Sequence, residues 1–244
     1  MPIGPEFIEK TGYEYLEVSD QRQGLLQPPL QLPYDPDAVL VDLPDPEDVQ
    51  VGAIDLRVAI EDRVSVRKYA PRTLTLSELS YLLWCTQGVK SMEGRHATFR
   101  TVPSAGARHA LETYLLVNRV QDLRPGLYRF LAIEHKLVEV DVRRGVADAV
   151  TRACWGQRFV LESAVTFIWS AVAYRMTWRY GQRGYRYLHL DAGHACQNLY
   201  LAASSVGCGA CAIAAFMDEE LNGVLGLDGE EQFALYVATV GKMP

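Results

Sequence analysis

The chain has 244 residues, 49% hydrophobic and 22% charged, with a formal net charge of −6 and five cysteines. It is long enough to bury a core without staples, its acidity excludes broad nucleic-acid binding as a main role, and an odd cysteine count does not make a disulfide framework. Apolar runs of only about ten residues are too short to span a bilayer and no signal-peptide pattern opens the chain, so a reduced, cytoplasmic setting is expected.

Residues 1–50 differ in kind from the rest. Prolines recur from Pro28 to Pro46 with little periodicity, so the stretch is expected to be an extended arm. Tyr34, Val39, Leu40 and Leu43 give it apolar groups with which to pack on something.

Residues 51–244 read as one domain. "AIDLRVAIEDR" (53–63) predicts a short helix. "TLSELSYLLWCTQG" (75–88) predicts a longer one: Thr75 and Glu78 form a capping-box pair, Leu76, Leu79, Leu82 and Leu83 recur at helical spacing, and Gly88 stops it. "ETYLLVN" (112–118), "GLYRFLA" (126–132) and "KLVEV" (136–140) read as strands, the last two as a hairpin. A weak helix follows in "VRRGVADAV", then a buried strand in "SAVTFIWSAVA". A long helix in "YRYLHLDAGHACQNLYLAASSVG" (185–207) ends at Gly207, and "LYVATVG" is a last strand. Strands and helices mixed without strict alternation predict an α+β fold.

Several residues bear on chemistry. In "DRVSVRKYAP" (61–70), Arg63, Ser65 and Arg67 alternate, so an extended backbone points all three to one face. Two guanidinium forks around a hydroxyl suit a phosphate, although a solvated basic loop would show the same pattern. Pro103, Ser104, Ala105 and Gly106 are small enough to let a flat ligand approach the backbone. In "YRMTWRYGQRGYRY", Arg175, Arg179, Arg183 and Arg186 interleave with aromatics. That composition can wall a pocket for a planar ligand, bind single-stranded nucleic acid, or stand in solvent as a loop. Cys208 and Cys211 form a C-x-x-C, read as small residues in a tight turn rather than a redox or zinc site. His189 and His194, about 140° apart on a helix, do not share a metal easily, whereas Asp191 and His194 lie on one face and could bond. No Rossmann, P-loop or G-x-S-x-G motif is present.

Together "RVSVRKY", "LSELSYLLWCTQG", "RTVPSAGARHALETYLLVN", "PGLYRF", "RYGQRGYRYLHLDAGHACQNLYLAA" and "VGCGACAIAAF" occur in an order that resembles the nitroreductase-like flavoprotein superfamily, and more closely its SagB/ThcOx-type dehydrogenase branch. The resemblance covers about residues 50–241 and extends to the N-terminal arm. It implies a central, mostly antiparallel sheet flanked by helices, in an intertwined homodimer with FMN at the interface. It implies FMN phosphate and ribityl contacts from Arg63, Ser65 and Arg67, and a flavin-facing loop Pro103–Gly106 lent by the partner. Ile213, Ala214 and Ala215 would lie beside the isoalloxazine edge, and Arg179 and Tyr180 would border the substrate as the catalytic pair.

Two departures are visible. Many relatives place a phosphate-binding cation well beyond the last strand, whereas this chain ends "VGKMP", with Lys242 a poor substitute. Azoline-oxidising relatives carry a Lys-Tyr pair where Arg179 and Tyr180 stand, and arginine stays protonated, so only Tyr180 can assist a proton transfer. The expected activity is two-electron, ping-pong flavin chemistry on a small-molecule or peptide-derived substrate. Electrons pass either from NAD(P)H to an acceptor or from substrate to oxygen. The alternative is a flavin-fold partner subunit without turnover, docked in a biosynthetic complex through its arm.

Overall fold

The computed structural model describes residues 2–49 and 51–244. Its strands are β1 (Leu40–Asp42), β2 (Val89–Glu93), β3 (Ala97–Arg100), β4 (Leu111–Val117), β5 (Gly126–Leu131), β6 (Lys136–Asp141), β7 (Val165–Val172), β8 (Cys208–Ile213) and β9 (Gln232–Lys242). Its helices are α1 (Ile3–Lys10), α2 (Leu56–Glu61), α3 (Leu76–Gln87), α4 (Val146–Ala153), α5 (Phe159–Glu162), α6 (Ala173–Tyr180), α7 (Gly184–Ser205) and α8 (Asp218–Leu225). Seven strands form one sheet in the order β1-β6-β5-β4-β7-β9-β8, and β2 and β3 form a separate hairpin. Every ladder in the large sheet is antiparallel. The expected α+β class with a central antiparallel sheet is therefore the observed one.

Period-two alternation explains why helices cover both faces. Leu115, Val117, Phe167 and Trp169 point to the layer of α3 and α7. Leu116 and Ile168 point to the layer of α4, α5 and α8. With both faces apolar, β4 and β7 are buried along nearly their whole length. In α3 the capping box is formed: Glu78 N donates to Thr75 Oγ1 at 3.1 Å and Thr75 N to Glu78 Oε2 at 2.9 Å. In α7, Leu188, Ala192, Ala195, Leu199 and Ala203 make one buried stripe, with spacing of three or four that keeps them on the sheet side.

Two local expectations change. The arm begins with a helix, α1, and its residues 40–42 pair with β6 at the sheet edge. Residues 173–180, for which a loop is one alternative, form α6. Cys208 and Cys211 lie on β8, not in a turn, because pairing with β9 extends even this run of small residues. Three residues apart on a strand, their side chains leave opposite faces, so they cannot act as a dithiol. Burial also pushes the Cys208 thiol up to about 11, away from thiolate chemistry. Among the described residues, no helix is long and apolar enough to cross a membrane.

The proline-rich stretch is tied down by one buried carboxylate. Glu112 on β4 is 4% exposed; its Oε1 accepts from Leu32 N at 2.9 Å and lies 2.6 Å from Arg175 Nη2. Arg129 Nη1 lies 4.0 Å from the other oxygen. The same two arginines donate to the strap: Arg175 Nε to Pro29 O and Arg129 Nη2 to Pro33 O, both at 2.7 Å. Breaking a buried ion pair from one side leaves the partner charge uncompensated. Glu112→Gln should therefore cost about 3–5 kcal/mol, read as a lowered denaturation midpoint, and should expose residues 20–35 to limited proteolysis.

Candidate functional site

The alternating triad comes first in the chain. After α2 the backbone runs extended, makes a parallel bridge from Ser65 to Ala210 at the β8 edge, and donates Val66 N to Ala210 O at 2.9 Å. It then crosses two paired glycines. A Cβ on Gly209 would lie 2.5 Å from Val66 Cγ2, and one on Gly241 would lie 2.7 Å from Tyr69 Cδ1, so the close crossing needs both positions bare. Tyr69 Oη locks the segment by donating to Val66 O at 2.7 Å.

Arg63 and Ser65 meet on one residue of α7. The Arg63 guanidinium stacks over the Tyr200 ring at 5.4 Å, and Ser65 Oγ is 3.0 Å from Tyr200 Oη. Tyr200 Oη also accepts from Ala212 N at 2.8 Å, which pins the triad to β8. Arg67 is exposed. Among the described residues, neither Arg63 nor Arg67 pairs with a carboxylate. Lys242 is engaged elsewhere: its Nζ donates to Glu78 Oε1 and to Val206 O. The donor set at Arg63, Ser65 and Arg67 thus fits an external phosphate, and Lys242 does not contribute.

The second cluster surrounds the small-residue loop. Ser104 Oγ donates to Asp191 Oδ2 at 2.6 Å, Ala105 N to Asp191 Oδ1 at 3.2 Å, and His109 N to Ser104 Oγ at 2.9 Å. Burial raises the Asp191 pKa, and the bonds from Ser104 and Ala105 oppose that shift. Asp191 bonds this loop and not His194. Gly106 has φ 56°, and a Cβ there would lie 2.4 Å from Tyr180 Oη and 2.9 Å from Arg179 Nε. Gly106, Arg179 and Tyr180, far apart in the chain, are therefore in contact. Arg108 completes the cluster, donating Nε to Gly106 O at 3.1 Å and lying over Trp178 at 5.5 Å. Burial, then the charge of Arg179, lowers its pKa.

The two clusters do not face each other within one chain. Asp191 and Tyr200 are nine residues apart on α7, about 13 Å along its axis and about 180° around it. Ile213 is buried with Leu116 and Val237, so its side chain belongs to the core, whereas Ala214 and Ala215 are exposed beyond the end of β8. Asp191 and Tyr200 are the site-building residues that sequence reading missed. Their partners, Ser104 and Ser65, lie 87 and 135 positions away, so no local pattern points to them.

This helix-covered antiparallel sheet is the nitroreductase fold, as comparison with known proteins bears out. The profile of the Nitroreductase family matches residues 60–242. A nitroreductase candidate of Methanocaldococcus jannaschii is 34% identical over 206 residues, 84% of this chain and 98% of that protein. The chain belongs to the Nitroreductase family. Among solved structures, a nitroreductase candidate from Anabaena variabilis superposes with a TM-score of 0.70 at 26% identity, over 86% of this chain but only 42% of that one. A chain of the E. coli microcin synthetase complex McbBCD, solved with truncated pro-MccB17 bound, superposes with a TM-score of 0.62 at 18% identity, over 98% of this chain and 87% of that one.

Two predictions follow from the loop. Gly106→Ala places a side chain in a left-handed conformation against Tyr180 and should cost at least about 1 kcal/mol. Adding Tyr180→Phe removes the nearest atom, so thermal unfolding of the double variant should show partial recovery. The second concerns His109, whose pKa is lowered to about 3, first by burial and then by the charges of Arg100 and Arg108. Unfolding restores a pKa near 6.5, so as pH falls the unfolded chain takes up the proton first. Stability should thus be lost progressively between about pH 6.5 and about pH 3. His109→Asn, which tolerates φ 42° at this position, should flatten that slope in urea midpoints measured across the range.

Proposed function

We propose that this protein is an FMN-dependent oxidoreductase of the SagB-type dehydrogenase branch, working as a homodimer. The observation that carries the reading is the extended segment presenting Arg63, Ser65 and Arg67 with neither guanidinium paired to a carboxylate. Arg63 and Arg67 would hold the FMN phosphate and Ser65 the ribityl end, with Tyr200 fixing the first two of the three. FMN, when bound, supplies the two-electron redox chemistry. Backbone groups near Ala214 and Ala215, exposed at the end of β8, would border its ring edge.

The homodimer reading is supported by the placement of the two clusters on opposite flanks of α7. A second copy can bring the Pro103–Gly106 loop of one chain against the clamp of the other, where a flat ring can rest on Gly106. Asp191 then acts as a positioning residue, since it fixes that loop through Ser104 and Ala105. Tyr180, in contact with Gly106, would offer a hydroxyl to move a proton to or from substrate. Arg179 keeps its charge and would bind rather than act as a base.

The protein as purified should be yellow and carry about one FMN per chain, a stoichiometry expected for one clamp each. Arg67→Ala removes a charge-assisted contact of about 1.5–3 kcal/mol, so FMN affinity should fall roughly 10- to 100-fold. Equilibrium dialysis showing unchanged FMN affinity in that variant would sink the clamp. Anaerobic bleaching with NADH, NADPH or candidate organic donors identifies the electron source. Absence of turnover with every donor and acceptor, in an FMN-loaded protein, would favour the non-catalytic partner-subunit reading.

A further inference from the structure

The arginine-rich stretch of α6 and the start of α7 is mostly occupied with the N-terminal segment. Arg175 donates to Pro29 O, Arg183 Nη1 to Thr11 O at 2.9 Å, and Arg186 to Thr11 Oγ1 and Ile8 O. The aromatics do the same: Tyr174 Oη donates to Asp20 Oδ2 at 2.9 Å and Trp178 Nε1 to Leu25 O at 3.1 Å. Arg183 also covers the Tyr13 ring at 4.1 Å, and Gln21 N donates to Trp178 O at 2.9 Å. Among the described residues, Arg179 is the one arginine of these four that donates to nothing in the protein.

Arg179 instead lines a cavity of about 570 Å³ between residues 13–22 and the end of α6. Arg22 lines it from the N-terminal segment, and it too makes no ion pair among the described residues. Tyr13, Leu16, Val18 and Tyr180 supply apolar surface between them. Glu17 is the one carboxylate in the lining, so the three charged groups leave one surplus positive charge. That surplus suits a monoanion, and guanidinium forks match a planar carboxylate. A phosphate dianion would face Glu17 as well. Arg108, behind Arg179, adds further positive potential.

We propose that this cavity recognises a carboxylate-bearing substrate with a planar apolar body, its carboxylate held between Arg179 and Arg22. The inference rests on the oxidoreductase reading for the use made of the bound molecule, since Tyr180 joins the cavity to Gly106. It assigns a role to the N-terminal segment: residues 13–22 are one wall of the substrate site, and Arg22 sets specificity.

The test uses the FMN-loaded full chain and a matched pair, 4-nitrobenzoate and 4-nitrobenzyl alcohol. Calorimetric titration should show the anion binding at least about tenfold more tightly, a preference that shrinks in high salt. With NAD(P)H as donor, the ratio of the two KM values should follow the same order. Arg22→Gln and Arg179→Gln should each bring the binding ratio below about threefold, and Arg179→Lys should restore part of it. A wild-type ratio near one, or a ratio unchanged in both glutamine variants, overturns the proposal. Competition by inorganic phosphate stronger than by acetate overturns the choice of carboxylate. Arg22-dependent binding of the anion by a chain that takes up no FMN and turns over neither compound would leave the recognition site standing and remove the oxidoreductase reading, so the two failures are distinct.

Discussion

The arrangement around the candidate substrate cavity depends on one buried carboxylate. Glu112 sits on a central strand and is shared by Arg175 of α6 and by the backbone of the proline-rich strap at Leu32, with Arg129 beside it. A lone ionised carboxylate in such a place would be costly, and so would the two guanidinium groups. Brought together they fasten three parts of the chain at one point: strand, helix and strap. The cavity beside Arg179 is the space left between α6 and the N-terminal segment, held directly by the bonds of Asp20, Gln21 and Leu25 to Tyr174 and Trp178, while Glu112 anchors the strap that follows. Arg100, also buried and with a pKa lowered to about 10 by burial, lies near enough for the Glu112 charge to offset part of that shift.

α7 plays the complementary part as a ruler. Its buried stripe docks on the sheet, and the two edges of that stripe carry Asp191 and Tyr200. Asp191 holds a loop in a conformation that only a bare residue tolerates at Gly106, and Tyr200 holds an edge segment that only bare residues at Gly209 and Gly241 admit. Each buried polar side chain on the helix is therefore matched to a place where backbone approaches unusually closely. On the homodimer reading proposed above, a ligand that needs a flat platform at one end and paired cations at the other would use both places across two copies of the helix.

Elements whose stability is local were legible in the sequence. The Thr75–Glu78 box and the leucine spacing after it announce α3, and alternating or continuous apolar runs announce β4, β5, β6 and β7. What escaped reading depends on distant partners. The run of α6 is amphipathic but polar on average, so its arginines and tyrosines mask the buried face of Ala173, Met176 and Trp178, and its helix is secured by the strap and by Glu112. The small residues of β8 have little strand preference and become a strand by pairing with β9. α1, with a proline at each of positions 2 and 5, gains its anchorage from Arg186 far along the chain. At the site, the alternation of Arg63 and Ser65 was readable because it needs only an extended backbone. The contact of Gly106 with Tyr180 was not, since 74 positions separate them.

An arginine rather than a lysine at position 179 has a physical consequence for the cavity. A lysine at this place could lose its proton and leave the cavity neutral, but a guanidinium cannot at any physiological pH. Arg108 beneath it already pays for proximity to that charge, because its own protonated form is disfavoured by burial and by Arg179. Among the described residues none of Arg179, Arg22 and Glu17 closes an ion pair, so the cavity holds one surplus fixed positive charge. A bound monoanion relieves that repulsion while its apolar body covers Leu16, Val18 and the rings of Tyr13 and Tyr180. On the proposal made above, charge would select and orient the substrate in such a site, and proton transfer would fall to the neighbouring Tyr180 hydroxyl, which lies against Gly106.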